Sequence, residues 1–140
     1  MRRRLLPGIL AGAGIAAGAV ALRNTPVEMV AHASDGDTLV MRSGEIVRVL
    51  GVDTPELHPC RCSHECNLGE AARVFTAMAV THGVLLTRRG RDRYGRSLAT
   101  VRVAEPGGRE NLAVLLVRAG LGRSYGGGPR APWCPAGASG

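Results

Sequence analysis

Between Val27 and Val52 the chain runs as three short stretches rich in β-branched and aliphatic residues: Val27–Ala33, Thr38–Arg42 and Ile46–Val52. Such stretches, bounded by turn residues, read as β-strands. Ser43-Gly44, between the second and third, reads as a tight hairpin turn. The pattern breaks at Leu57–Leu68, which holds Pro59 and three of the four Cys. Gly69–Thr81 places Ala72, Phe75, Met78 and Ala79 at helical spacing. Val84–Thr87 is another strand, Arg88–Arg96 a charged loop, and Ser97–Val103 an alternating strand. Asn111–Ala119 reads as a helix closed by Gly120. From Gly126 the tail GGGPRAPWCPAGASG is Gly/Pro-rich and carries no helix signal. No internal repeat is present. This order predicts an α+β, mainly β chain: a five-stranded OB-fold barrel with two flanking helices.

A chain of 140 residues supports one domain. Aromatic residues are limited to Phe75, Tyr94, Tyr125 and Trp133, so the core must rest on Val, Leu, Ile and Ala. The formal charge is +7, and every basic residue is Arg. A basic surface favours polyanions such as nucleic acid or an anionic membrane, and Arg supplies forked donors suited to phosphate.

The first residues read as a separate segment. Arg2, Arg3 and Arg4 precede an uncharged run from Leu5 to Leu22, and Ala19-Val20-Ala21 has the small-x-small form of a cleavage site. Residues 1–22 are expected to be a signal peptide or an N-terminal membrane anchor, and 23–26 a linker. The run is interrupted by Pro7 and four Gly, and Gly and Ala contribute little transfer energy, which favours the cleavable signal. The chain is thus expected outside the cytoplasm, membrane-associated only if the segment is uncleaved.

Two motifs carry chemistry. Ser34-Asp35-Gly36-Asp37-Thr38 lies between the first two strands, and Arg48-Val49-Leu50-Gly51-Val52-Asp53-Thr54-Pro55-Glu56 ends the third. Pro55 fixes its own φ and pushes Thr54 towards an extended form, which holds the Thr54 carbonyl and the flanking carboxylates in a defined arrangement. Hard cations such as Ca²⁺ take oxygen ligands of this kind. Each motif is also an ordinary turn sequence. Arg48 adds a constraint: it falls inside a hydrophobic strand, where a charge must find a partner or line a cleft. Arg96 follows the turn-like Asp92-Arg93-Tyr94-Gly95. Two arginines near a metal would clamp a phosphate; taken alone, Arg96 is equally a solvated loop charge.

In this order the motifs resemble the staphylococcal nuclease (thermonuclease) family. The resemblance runs from about Val27 to Gly122 and includes Gly69-Glu70-Ala71, Asn111-Leu112 and Leu116-Val117-Arg118-Ala119-Gly120-Leu121. It implies a nuclease domain over 27–125 followed by a tail over 126–140. It implies one Ca²⁺ ligated by Asp37, Asp53 and the main-chain carbonyl of Thr54, with Asp35 behind these ligands. Glu56 would act as general base or orient the attacking water, and Arg48 and Arg96 would bind the scissile phosphate. Tyr94, Arg93 and Tyr125 would contact the bound nucleotide. The implied reaction is endonucleolytic hydrolysis of DNA and RNA, with single strands preferred and 3′-phosphate ends left, by an exported monomer. Arg88, Arg89, Arg91 and Arg93 could form a stripe that follows the nucleic-acid backbone, or a solvated loop. The alternative function is a non-catalytic OB-fold module that binds nucleic acid.

Two features depart from the family. Cys60, Cys62, Cys66 and Cys134 are even in number, which in an exported chain favours two disulfides, with three possible connectivities. A link to Cys134 would pin the tail to the domain. Zn²⁺ bound by Cys60, Cys62, Cys66 and either His64 or Cys134 is the rival, although the spacing is not a familiar zinc pattern. The tail also lacks the further helix that the family's prototype has at its end.

Overall fold

A computed structural model describes residues 25–104 and 108–138 of the chain. The expected export or anchor segment, 1–22, lies outside them. The elements are β1 (Val30–Asp35), β2 (Thr38–Met41), β3 (Ile46–Val49), β4 (Gly51–Asp53), α1 (Ser63–Ala79), β5 (Val84–Arg91), β6 (Ser97–Val103), α2 (Leu112–Arg118) and β7 (Arg123–Tyr125). Five strands form one sheet in the order β1-β2-β3-β6-β5, and β4 pairs with β7 in a second, two-stranded sheet. All pairs are antiparallel except β3–β6, which is parallel. The two edges of the large sheet meet at one bridge, where Glu28 and Val84 exchange both backbone hydrogen bonds at 2.8 Å. The described pairing is therefore a five-stranded sheet joined at one point, rather than a continuously paired barrel.

The expected third strand, Ile46–Val52, is two strands. Gly51 has φ +92°, a conformation open to glycine at little cost. There the chain leaves its pairing with β6 and turns to pair with β7, placing Gly51 opposite Tyr125 and Asp53 opposite Arg123. The expected charged loop is also shorter, because β5 continues to Arg91 through a register shift after Arg88. A sheet edge tolerates such a run of charges, because one side faces water.

Helix α1 begins six residues before the expected Gly69. Its buried positions are Glu65, Gly69, Ala72 and Thr76. That is a helical stripe, but only one of the four is an apolar side chain of any size, so hydrophobic spacing does not reveal the first turns. Met78, placed on the apolar face by spacing, is exposed. Helix α2 matches its expected limits: the Asn111 side chain accepts from the Ala113 N–H at 2.8 Å, and Gly120 follows the C-cap with φ +71°.

The core is aliphatic, as composition requires. Leu39, Val47, Val49, Val52, Val84, Val101, Leu112 and Leu116 are fully buried, and Phe75 packs at its margin. Ile contributes nothing among the described residues, since Ile46 is exposed.

Candidate active site

The two motifs meet because strand register carries them together. Asp35 ends β1, Gly36-Asp37 forms the turn, and Thr38 stands opposite Arg48 in the β2–β3 pair. The Asp37 carbonyl accepts from Val49 N–H at 2.8 Å, and its Oδ2 accepts from Thr54 N–H at 3.0 Å. Glycine is required at position 36 by space: a Cβ there would lie 2.7 Å from the Cβ of Ala72 and 2.9 Å from the Thr54 side chain. Helix α1 secures the same turn, as the Thr76 hydroxyl donates to the Gly36 carbonyl at 2.7 Å.

Arg48 is buried and finds both a partner and a cleft. Its Nη1 donates to the carbonyls of Val49 and Val52, and its Nη2 lies 3.2 Å from Asp37 Oδ2 and 4.0 Å from Asp53 Oδ1. Asp53 Oδ2 accepts from the indole N–H of Trp133 at 3.2 Å, while its Oδ1 is buried without a hydrogen bond. Asp35 Oδ1 is likewise buried and unbonded. Burial pushes the carboxyls of Asp35, Asp53 and Glu56 above their usual range. The Asp37 charge adds to the rise at all three, and Asp35 adds to it at Glu56. A site that strains to hold its own negative charge favours a cation.

Beside these carboxylates lies a cleft of about 540 Å³, lined by Arg48, Arg93, Tyr94, Arg96, Tyr125 and Arg130 among others. Arg96 is held rather than free: Asp92 accepts its backbone N–H at 3.0 Å and its Nε–H at 2.7 Å. Tyr94 is 70% exposed, with the guanidinium groups of Arg93 and Arg96 5.0 and 5.6 Å from its ring centre. Tyr125 reaches the same cleft from β7. Arg88 does not join it: its guanidinium forks onto Glu28 and Glu45. Of the expected arginine stripe, Arg93 alone lines the cleft.

The four cysteines form Cys60–Cys66 and Cys62–Cys134 disulfides. Cys62, Glu65 and Cys134 do converge within 4.8 Å, but both sulfurs are bonded and neither is a thiolate, the form that binds Zn²⁺. Glu65 is fully buried and instead accepts from the backbone and guanidinium of Arg61 at 2.7 to 3.3 Å. The second disulfide returns the tail to the carboxylates. Two residues there escape sequence reasoning: Trp133, on Asp53, and Arg130. The Arg130 Nη1 donates to Glu56 Oε1 at 2.9 Å, and its Nε lies 3.5 Å from Asp53 Oδ1. Cys134 was the available signal, since any bridge to the loop after Glu56 draws its neighbours towards that loop.

The donor set suits a hard cation. Asp37 and Asp53 supply carboxylate oxygens, Thr54 is tied to Asp37, and Asp53 Oδ1 is an acceptor left without a hydrogen-bond donor. No curated protein matches the chain. A family model described as staphylococcal nuclease homologue matches residues 46–130, more than half of its length.

Proposed function

This chain belongs to the staphylococcal nuclease homologue family, and we propose that it is a Ca²⁺-dependent phosphodiesterase hydrolysing DNA and RNA, with single strands preferred and 3′-phosphate ends left. One observation carries the reading: Arg48 is clamped between Asp37 and Asp53 at the edge of a cleft that also holds Arg96 and two tyrosines. A binding surface alone has no need of buried, desolvated carboxylates beside its arginines.

Asp37, Asp53 and the Thr54 carbonyl would hold the ion. When bound, Ca²⁺ neutralises phosphate charge and lowers the pKa of nearby water. Arg48 and Arg96 would grip phosphate oxygens and match the charge that grows in the transition state. Both are fixed beforehand, Arg48 by two carbonyls and Asp37, and Arg96 by Asp92. Little reorganisation would then accompany reaction. Glu56 would direct or accept the water proton, and its raised pKa brings it closer to neutrality, where a general base works best. Tyr94 and Tyr125 offer faces on which unpaired bases stack. Asp35 would support the ligands from behind. The edge-to-edge bridge at Glu28 and Val84 supports a barrel of the oligonucleotide-binding kind. Two disulfides support an oxidising, extracytoplasmic compartment, reached through residues 1–22 acting as signal or anchor, and we propose a monomer.

The test is digestion of single-stranded DNA by the purified, oxidised protein with Ca²⁺ or with chelator. Cleavage that needs Ca²⁺ and falls about 10²- to 10⁴-fold in Glu56→Gln is expected. Binding without cleavage under any metal would establish the non-catalytic module instead.

A further inference from the structure

Arg130 sits where two cavities meet. It lines the arginine and tyrosine cleft and also a smaller pocket of about 250 Å³ over Asp53, Thr54 and Glu56. Of the residues lining these two, it is the one common to both. Its side chain is 40% exposed, against 28% for Arg96 and 7% for Arg48. Those two arginines have partners outside the pocket over Asp53 and Glu56, whereas Arg130 has only Asp53 and Glu56 as ion-pair partners among the described residues.

The position of Arg130 is built by its segment. Upstream, Tyr125 pairs with Gly51, and downstream Cys134 is bonded to Cys62. Between them, Arg123 donates to the carbonyls of Ala131 and Pro132 at 3.2 and 3.1 Å, and its guanidinium stacks 3.8 Å from the Trp133 ring centre. Residues 126–134 are therefore a strap closed at both ends, and Arg130 is delivered to the carboxylates by it.

A phosphodiester entering the cleft offers Arg130 a forked anionic alternative. We propose that Arg130 is a third phosphate-binding arginine, which exchanges its ion pair with Glu56 for a substrate phosphate when the strand is bound. This inference rests on the nuclease reading of the site. The ligand class is a single-stranded polynucleotide, recognised through its backbone and not its bases.

The test is metal-free binding of a fluorescein-labelled oligothymidylate, in chelator, by anisotropy across a range of salt. Without metal no turnover intervenes. Each phosphate contact on a single strand contributes about 0.7 to the slope of log K against log salt. Arg130→Ala is expected to lower that slope by about 0.7 and the affinity roughly tenfold at 0.1 M salt. Arg130→Lys keeps the slope and loses part of the affinity, because it retains the charge but not the fork. Arg118→Ala removes an equal charge outside the cleft lining and is expected to leave the slope unchanged. Trp133 emission verifies that the strap stays in place; where Arg130→Ala displaces it, Arg130→Gln takes its role. Unchanged slope and affinity on loss of Arg130, with the wild type binding normally, would overturn this inference alone. Failure of the wild type to bind in chelator would overturn this inference, whereas failure to cleave single-stranded DNA with Ca²⁺ would overturn the nuclease reading with it.

Discussion

Replacing Cys62 and Cys134 together by serine removes a crosslink that closes 72 residues of chain, whereas replacing Cys60 and Cys66 removes one that closes 6. A crosslink stabilises chiefly by restricting the unfolded chain, with an entropy that grows with the logarithm of loop length. The relation gives about 4.4 kcal/mol at 25 °C for the long loop and about 2.2 kcal/mol for the short one. The native state adds to the difference. Without Cys134 the strap loses its downstream anchor, and the buried contact of Trp133 with Asp53 is released. Trp133 is the sole tryptophan, so its fluorescence reports the strap while far-UV circular dichroism reports the fold. Guanidinium unfolding followed by both signals is the assay. The long-loop variant is expected to lose about twice the stability of the short-loop variant, and its Trp133 emission is expected to shift to the red before the main transition. Equal losses, a reversed order, or an unmoved Trp133 signal would refute the reasoning that the strap is anchored through Cys134.

Gly36→Ala places a methyl group 2.7 Å from the Ala72 Cβ, and overpacking of this kind costs about 1–3 kcal/mol. Thermal melts are expected to show the loss and its partial recovery in the double variant with Ala72→Gly; a melt unchanged by Gly36→Ala would remove the steric account of that turn. The Arg88 guanidinium, with the Ser97 hydroxyl, holds the Glu45 carboxyl down to about 2. A lowered carboxylate stabilises the fold above its ordinary value of 4.5 and loses that contribution as pH falls through about 2. With Arg88 partly exposed, solvent screening reduces the contribution to about 1 kcal/mol. Glu45→Gln is expected to flatten the acid limb of the stability curve between those pH values, and an identical limb in both proteins would contradict the assignment.

Much of the candidate site was legible because its residues are unusual where they stand. Arg48 inside a β-branched strand demands a partner, and the structure supplies Asp37, two carbonyls and a cleft. Asp92 ahead of Arg96 is a turn former whose carboxylate also ties down the arginine. The fold was legible where one face is apolar and the other wet, as in β6, whose buried and half-buried residues alternate without interruption. It was not legible in the first turns of α1, where the buried stripe contains Glu65 and Gly69. There the helix is supported by a disulfide and a buried carboxylate, and hydrophobic spacing registers neither. The break at Leu50 was hidden for a related reason: Val49 and Val52 are both buried, so the apolar pattern continues while the pairing partner changes.

Taken by itself, the sequence determined which stretches could be strands, that the core would be aliphatic, and that two acidic motifs and two arginines follow one another in a nuclease-like order. These are local properties: side-chain branching, alternation and capping act within a few residues. Tertiary structure alone decided which cysteines pair, and that a Gly/Pro-rich tail returns to the carboxylates. Arg130 meets Glu56 across 74 residues and Trp133 meets Asp53 across 80. Contacts at that range depend on strand register and on the Cys62–Cys134 bond, and no period within the tail encodes them.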